Sequence, residues 1–336
     1  MFKHAVLLYN IINKLQITKK EGNSLNKSVV KNTKKSFIRA LKNGWQLYLL
    51  IVIPLLFLIL FKYLPMYGAQ IAFRQYNPID GFFHSKFVGF KHFRRFFSSP
   101  LFPKLMINTL SLSFYSLVLS FPIPILLAIS LNYANSSILK KASQMISYAP
   151  YFISVVVMIG IISQMFNVQY GSINTIIHML GGKKIDVLGN PNYFRMTYVL
   201  SSIWQNMGFN SIIYISALSS ISPEIHEAAI VDGATKIKTI RFIDIPSLIP
   251  TAITLFIIQI GSFMSTGFEK AFLLQNDLNI SVSEVIDTYV YKIGLSSQMA
   301  NFSYSTAIGL FQSIVGFILV VMTNQIAKRV SDNGLW

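Results

Sequence analysis

Four polar side chains recur at every fourth position of an otherwise largely apolar run: Ser202, Asn206, Asn210 and Tyr214. In an α-helix, residues four apart are neighbours on one face. The series winds slowly around the helix, because four residues slightly exceed one turn. Amides inside a membrane are costly unless they meet partners or water. The stripe therefore suits one of two tasks. It can line a path for a hydroxyl-rich solute, with Trp204 and Gln259 contributing, or it can bind neighbouring helices to one another through hydrogen bonds. Glu269 and Lys270 stand side by side and are expected to form an ion pair in an outer loop.

Residues for covalent or metal chemistry are scarce. The 12 acids lie mostly in loops, and none forms a dyad within an apolar run. With no cysteine, thiol nucleophiles, disulfides and cysteine metal sites are excluded. The histidines are His4, His84, His92, His178 and His226, and no two have the spacing of a zinc motif, so no metal is expected. There is no GxxxxGK[ST] run, so the chain is not expected to hydrolyse ATP through a P-loop of its own. A membrane-embedded enzyme would need an acid, histidine or serine constellation at depth, which is missing. An ion-coupled secondary transporter would need titratable groups at mid-span, which are nearly missing.

The densest local grammar lies in residues 222–250. Ser222 suits an N-cap and Pro223 the first helical position. Glu224 sits where the helix dipole favours an anion. Gly233 offers a left-handed stop. A second short helix is expected from Thr235, ended by Pro246. The expected product is a helix–turn–helix on the membrane surface, with Ala228 and Ala229 giving a close-packing face for a groove on a soluble partner.

These segments need scaffolding that only a membrane protein supplies. The chain is 53% hydrophobic and 12% charged, against about 25% charged in ordinary soluble domains. Its mean hydropathy is +0.52. Six runs approach the ~20 apolar residues that a spanning helix needs: Trp45–Phe61, Leu105–Leu131, Gln144–Phe166, Thr197–Leu218, Ile249–Phe268 and Tyr304–Ile326. Pro122 and Pro124 in the second run, and Pro150 in the third, imply kinks. The predicted fold is an all-α polytopic bundle of about six transmembrane helices. The net charge is +17, with Lys and Arg concentrated before Trp45. That placement suits anionic lipid headgroups and not nucleic acid. It also predicts cytoplasmic N- and C-termini. Residues Ala5–Ile12 are too short and too interrupted for a secretory signal, so an uncleaved cytoplasmic tail is expected. The run Phe87–Phe97 reads as an amphipathic segment at the outer interface, or as a loop packed on the bundle.

The loop also resembles a known family. Glu227-Ala228-Ala229, Asp232-Gly233-Ala234 and Ile245-Pro246 match the "EAA" loop of binding-protein-dependent ABC importer permeases, which have the MetI-like fold. Residues 45–48, 63–68, 70–73, 93–97, 268–270, 306–311 and 334–336 are similar to the polysaccharide branch of sugar permeases, distantly related to maltose permeases. The resemblance covers about residues 36–336. Ile240 departs from it, since many relatives carry an aromatic residue there. The resemblance implies import of oligosaccharides or polysaccharide fragments by alternating access across the cytoplasmic membrane. It implies ATPase coupling through Glu227, Ala228, Ala229, Asp232, Gly233, Ile245 and Pro246. It implies as partners a second permease, a cytoplasmic ATPase dimer carrying the ATP and Mg, and an extracellular solute-binding protein. The implied layout is a basic tail at 1–44, the first span and outer loop at 45–104, a permease core at 105–327 containing the loop 222–250, and a C-terminal tail at 328–336.

Overall fold

A computed structural model describes residues 44–297, 300–331 and 334–335. The basic tail before Gly44 and the final Trp336 lie outside them. The chain divides into two units, Met1–Gly68 and Ala69–Trp336. In the first, α1 (Trp45–Leu58) is uncharged and contains Pro54. A π turn at Ile59–Tyr63 continues it.

The second unit begins with a two-stranded antiparallel ribbon, β1 (Arg74–Gln75) and β2 (Lys86–Phe87), in the register Arg74 to Phe87. Then α2 (Lys91–Phe97) packs its buried Phe96 against Phe102, Tyr304 and Phe311. The run Phe87–Phe97 thus contains a short helix that packs one face, His92 and Phe96, on the bundle and leaves Lys91, Arg94 and Arg95 exposed.

Helices α3 (Leu101–Ser120) and α4 (Pro122–Asn132) form one apolar path broken at Phe121. Pro122 lacks the N–H that would carry the helix through, and it starts the next one at its first position. Next come α5 (Ser137–Tyr148), α6 (Val155–Met165), α7 (Ser172–Met179) and α8 (Pro191–Ser219). The remaining principal helices are α9 (Pro223–Val231), α10 (Ile245–Gly261), α11 (Phe268–Leu274), α12 (Ile286–Tyr291) and α13 (Phe302–Ser331).

Among the described residues, four helical paths can cross a membrane by length and composition: Trp45–Phe73, Leu101–Asn132, Lys236–Gly261 and Phe302–Arg329. They correspond to the first, second, fifth and sixth predicted runs. The third run is bent: the helix through Phe152 and the helix from Val155 meet at 101°. Pro150 sits in a tight 3₁₀ turn, and Ser154 caps the new helix by accepting the Val157 N–H at 3.3 Å. The eleven residues of α6 reach only ~16 Å, about half a bilayer core. The fourth run is α8, whose serines and amides make it the most polar of the long helices.

That polarity has structural uses. Helix α8 packs on α3, α4, α5 and α10. Gln205 donates to the Ile153 carbonyl at 2.8 Å, satisfying a backbone group freed by the bend. A Cβ on Gly208 would stand 2.0 Å from the Ser147 carbonyl oxygen, so only glycine lets α8 approach α5 so closely.

The fifth run departs from its expected limits. Its helix ends at Gly261, and irregular backbone follows through Gly267, which has φ +77°. Polar side chains stitch this region. Asp287 accepts from Thr266 N–H at 2.9 Å and from Gln312 at 2.7 Å. Asn108 donates to the Ser281 and Glu284 carbonyls, and Thr109 accepts from Ile286 N–H. Irregular backbone at membrane depth persists only where the protein itself supplies such partners.

Among the described residues, three apolar clusters hold the bundle. One joins Leu112, Met158, Phe194, Val199 and Val285. A second joins Phe96, Leu105, Met264 and Ile308. The third joins Ala128, Ile129, Tyr214, Leu218 and Leu248.

Candidate functional site

Two regions carry the candidate residues. The first is the loop between α8 and α10. Helix α9 forms where expected. Ser222 occupies the N-cap with extended backbone, but its side chain makes no capping bond. Its carbonyl instead accepts from Ile225 N–H at 3.1 Å. Pro223 and Glu224 fill the first turn. Gly233 has φ +71°. Around it, Ala234 N–H donates to Ala229 at 2.9 Å and Gly233 N–H to Ile230 at 3.0 Å. This paired closure is the Schellman motif, and it requires the left-handed residue.

The second half differs from expectation. Pro246 does not end a separate helix. Helical backbone runs without interruption over Lys236–Gly261, through a π turn at Ile240–Asp244. The wider turn makes room for the proline ring and for its missing N–H, with Ile245 N–H donating to the Ile240 carbonyl. The predicted coupling segment is therefore one short helix joined by a tight turn to the end of an apolar helix long enough to span a membrane.

Of the predicted coupling residues, Glu227, Ala228, Asp232, Gly233, Ile245 and Pro246 are exposed, and Ala229 is half-buried. Helix α9 buries none of its side chains. Around them lies an apolar surface that the motif alone did not single out: Ile230, Val231, Ile237 and Phe242, the second of these 87% exposed. Behind it sits an anchor. Asp244 is fully buried, pairs with His226 at 2.9 Å and accepts from the Tyr133 hydroxyl at 2.6 Å. One carboxylate thus ties α9 to the end of α4 and to the root of α10. Nothing in the local pattern around Asp244 announces this, because its partners lie 18 and 111 positions away.

The second region is a cavity of about 290 Å³. Helix α8 presents Tyr198, Ser202, Asn206 and Asn210 to it. Helix α3 presents Ser113, Ser116 and Ser120, and the end of α10 presents Gln259. The irregular stretch closes it with Ser262, Ser265 and Thr266. Four of the five predicted path residues therefore converge. Tyr214 does not: it is buried among Ala128, Ile129, Leu218 and Leu248. Trp204 is exposed and is not part of the wall.

The wall is rich in hydroxyls and amides with spare capacity. The Oγ atoms of Ser113 and Ser120 are buried without a protein partner. Asn206 spends its amide N–H on the Ser202 carbonyl at 2.9 Å, leaving its oxygen as an acceptor. The serines of α3 were missed in the sequence, although their spacing of three and four residues places them on one helical face.

The expected Glu269–Lys270 ion pair is not formed. Glu269 is exposed, whereas Lys270 is 6% exposed and points inward. Its ammonium donates to Ser202 Oγ at 2.6 Å and lies 5.1 Å from the centre of the Tyr198 ring. Adjacent helical residues point about 100° apart, so they rarely meet.

Comparison with known proteins places this geometry. Residues 107–332 match the family model described as "Binding-protein-dependent transport system inner membrane component". The chain is 42% identical over 301 residues to Protein LplB of Bacillus subtilis (strain 168), covering 90% of this chain and 94% of that protein. It is 40% identical over 306 residues to the polygalacturonan/rhamnogalacturonan transport system permease protein YteP of the same organism, covering 91% and 95%. Among solved structures, it superposes with a TM-score of 0.81 and 36% identity on a chain of a bacterial alginate ABC transporter in complex with alginate pentasaccharide-bound periplasmic protein, covering 88% of this chain and 99% of that one.

Proposed function

Because this chain belongs to the family of binding-protein-dependent transport system inner membrane components, we propose that its polar cavity is the saccharide path of an ATP-driven importer. The chain is a multi-pass membrane permease of the carbohydrate ABC transporter type. Oligosaccharides or polysaccharide fragments are the proposed cargo. The observation that carries this reading is the wall itself, where Ser113, Ser120, Ser202, Asn206, Asn210 and Gln259 converge on one partly open cavity. A sugar presents many hydroxyls, each needing a donor or an acceptor once water is removed. About 290 Å³ falls at the lower edge of small-molecule sites, ~300–1,000 Å³. It suits a short stretch of a chain passing through, not storage of a whole oligosaccharide.

The proposed assembly adds a second permease, a cytoplasmic ATPase dimer that holds the ATP and Mg, and an extracellular solute-binding protein. This chain binds no cofactor in that arrangement. Both of its termini lie in the cytoplasm, and the loop carrying Glu227 and Gly233 meets the ATPase. The exposed apolar residues around α9 support the docking role. The similarity to a transporter solved with its periplasmic protein supports the binding-protein partner.

The test replaces Asn206 and Asn210 together by leucine in the assembled importer. Leucine keeps the branched skeleton of asparagine, is somewhat larger, and cannot pair with a hydroxyl. Uptake of a labelled oligosaccharide should fall about tenfold or more, equivalent to one or two lost polar contacts. Complex yield should be unchanged. Normal uptake, or a complex that dissociates, would show that the stripe serves packing instead.

A further inference from the structure

We infer that the ammonium of Lys270 reads the carboxylate of acidic sugars, so that this cavity favours uronate-containing oligosaccharides over neutral ones. The inference rests on the saccharide path proposed above.

Lys270 stands one hydrogen bond behind the wall. Its two contacts, Ser202 and Tyr198, are both lining residues. An ammonium has three N–H groups, and Ser202 takes one. Among the described residues two acid–base contacts form, His226 with Asp244 and Lys292 with Glu284, and Lys270 is in neither. The neighbouring acid, Glu269, is turned outward. Asp287 is occupied by the Thr266 N–H and by Gln312. Burial without a carboxylate works against the charged form of Lys270, and a cation–π contact repays only part of that cost; an arriving carboxylate would hold the ammonium in its charged form. Ionisable residues at membrane depth ordinarily pair or serve transport.

The surroundings select for an anion. The Ser202 hydroxyl gives its own proton to the Tyr198 carbonyl at 2.9 Å, so a carboxylate at this wall would take Ser202's place as an acceptor of the ammonium N–H groups. The unpaired hydroxyl of Ser113, itself 7% exposed, supplies a further donor in the same wall. A neutral sugar can use the hydroxyls and amides but gains nothing from the cation. The alternative role for Lys270 is mechanical, tying α11 to α8 through Ser202. A tie would matter equally for every solute.

The two roles separate in one experiment. The assembled importer, in proteoliposomes, is given a labelled uronate trisaccharide or its carboxyl-reduced neutral counterpart, and initial rates are measured across concentration. Wild type should take up the acid with the lower KM. Lys270→Met should lose at least about tenfold in kcat/KM for the acid while the neutral sugar changes by less than about twofold. Lys270→Arg should retain the preference. Parallel losses for both sugars, or no loss for either, would overturn the inference and leave the saccharide path standing. If Lys270→Met fails to assemble, wild type decides: equal KM values for acid and neutral sugar also overturn it. A wild-type complex that imports neither sugar removes the saccharide reading and this inference with it.

Discussion

Replacing Gly233 by valine is expected to lower ATP-driven uptake by about tenfold or more, with normal membrane insertion. No atom obstructs the new side chain, since nothing lies within 4 Å of a Cβ built there. The cost is carried by the backbone. Gly233 holds φ +71°, a region that costs an L-residue ~1–2 kcal/mol, and a β-branched residue more. Relief of that strain opens the bonds from Ala234 to Ala229 and from Gly233 to Ile230. Helix α9 then loses its fixed angle to the spanning helix that begins at Lys236. Transport-stimulated ATP hydrolysis should fall with uptake, because motion no longer passes between subunits. Glu227→Lys should act similarly by reversing charge on the same exposed face. Gly233→Asn is the informative control, since asparagine tolerates the left-handed region. It should keep most of the activity. Normal transport by both Gly233→Val and Glu227→Lys would remove this loop from coupling.

Asp244→Ala is expected to have a comparable effect by a different route. The carboxylate is fully buried and serves both His226 and the Tyr133 hydroxyl. Its loss abandons two partners, and because His226 and Tyr133 are both partly exposed water offsets some of the cost, leaving about 1 kcal/mol for each lost bond. Helix α9, which buries no side chain of its own, would be held mainly by its backbone connections. Tyr133→Phe removes one bond and spares the His226 pair, so it should be milder. The measurement is uptake beside thermal stability of the purified complex. The expected order of damage is Asp244→Ala, then Tyr133→Phe, then wild type. If Asp244→Ala transports normally at full stability, the anchor has no role in coupling.

What was legible in the sequence divides along physical lines. Helix α9 could be read from Pro223, Glu224 and Gly233, because caps and stops are local. Six apolar runs could be found by composition. Pro150 announced a kink in the third run, but composition does not record the direction of the backbone, so the size of the bend after Phe152, 101°, was hidden. Its signals, Pro150 and Ser154, were in the run, but the carbonyl they free is satisfied by Gln205 from another helix. The π turn at Ile240–Asp244 was hidden for the same reason: Pro246 reads as a stop unless the preceding turn widens.

The candidate site followed a similar division. A four-residue step advances ~40° beyond a full turn. Ser202, Asn206 and Asn210 remain close enough to share the cavity, whereas Tyr214, three steps on, has rotated by ~120° into the third apolar cluster. Lys270 was assigned to Glu269 because the two are adjacent, yet adjacency on a helix separates side chains. Its burial is set by α8 and by the irregular backbone after Gly261, which only the tertiary structure brings together.

The most direct test of the transport account is a crosslink. The chain has no cysteine, so a single Val231→Cys places one thiol at the exposed face of α9. A matching cysteine is scanned along the cleft surface of the ATPase subunit, and the assembled importer is oxidised and assayed for uptake. The expected result is an intersubunit disulfide that stops ATP-driven oligosaccharide uptake, with uptake restored by reductant. The contradicting result is a fully active importer in which Val231→Cys crosslinks to no ATPase position under any nucleotide condition.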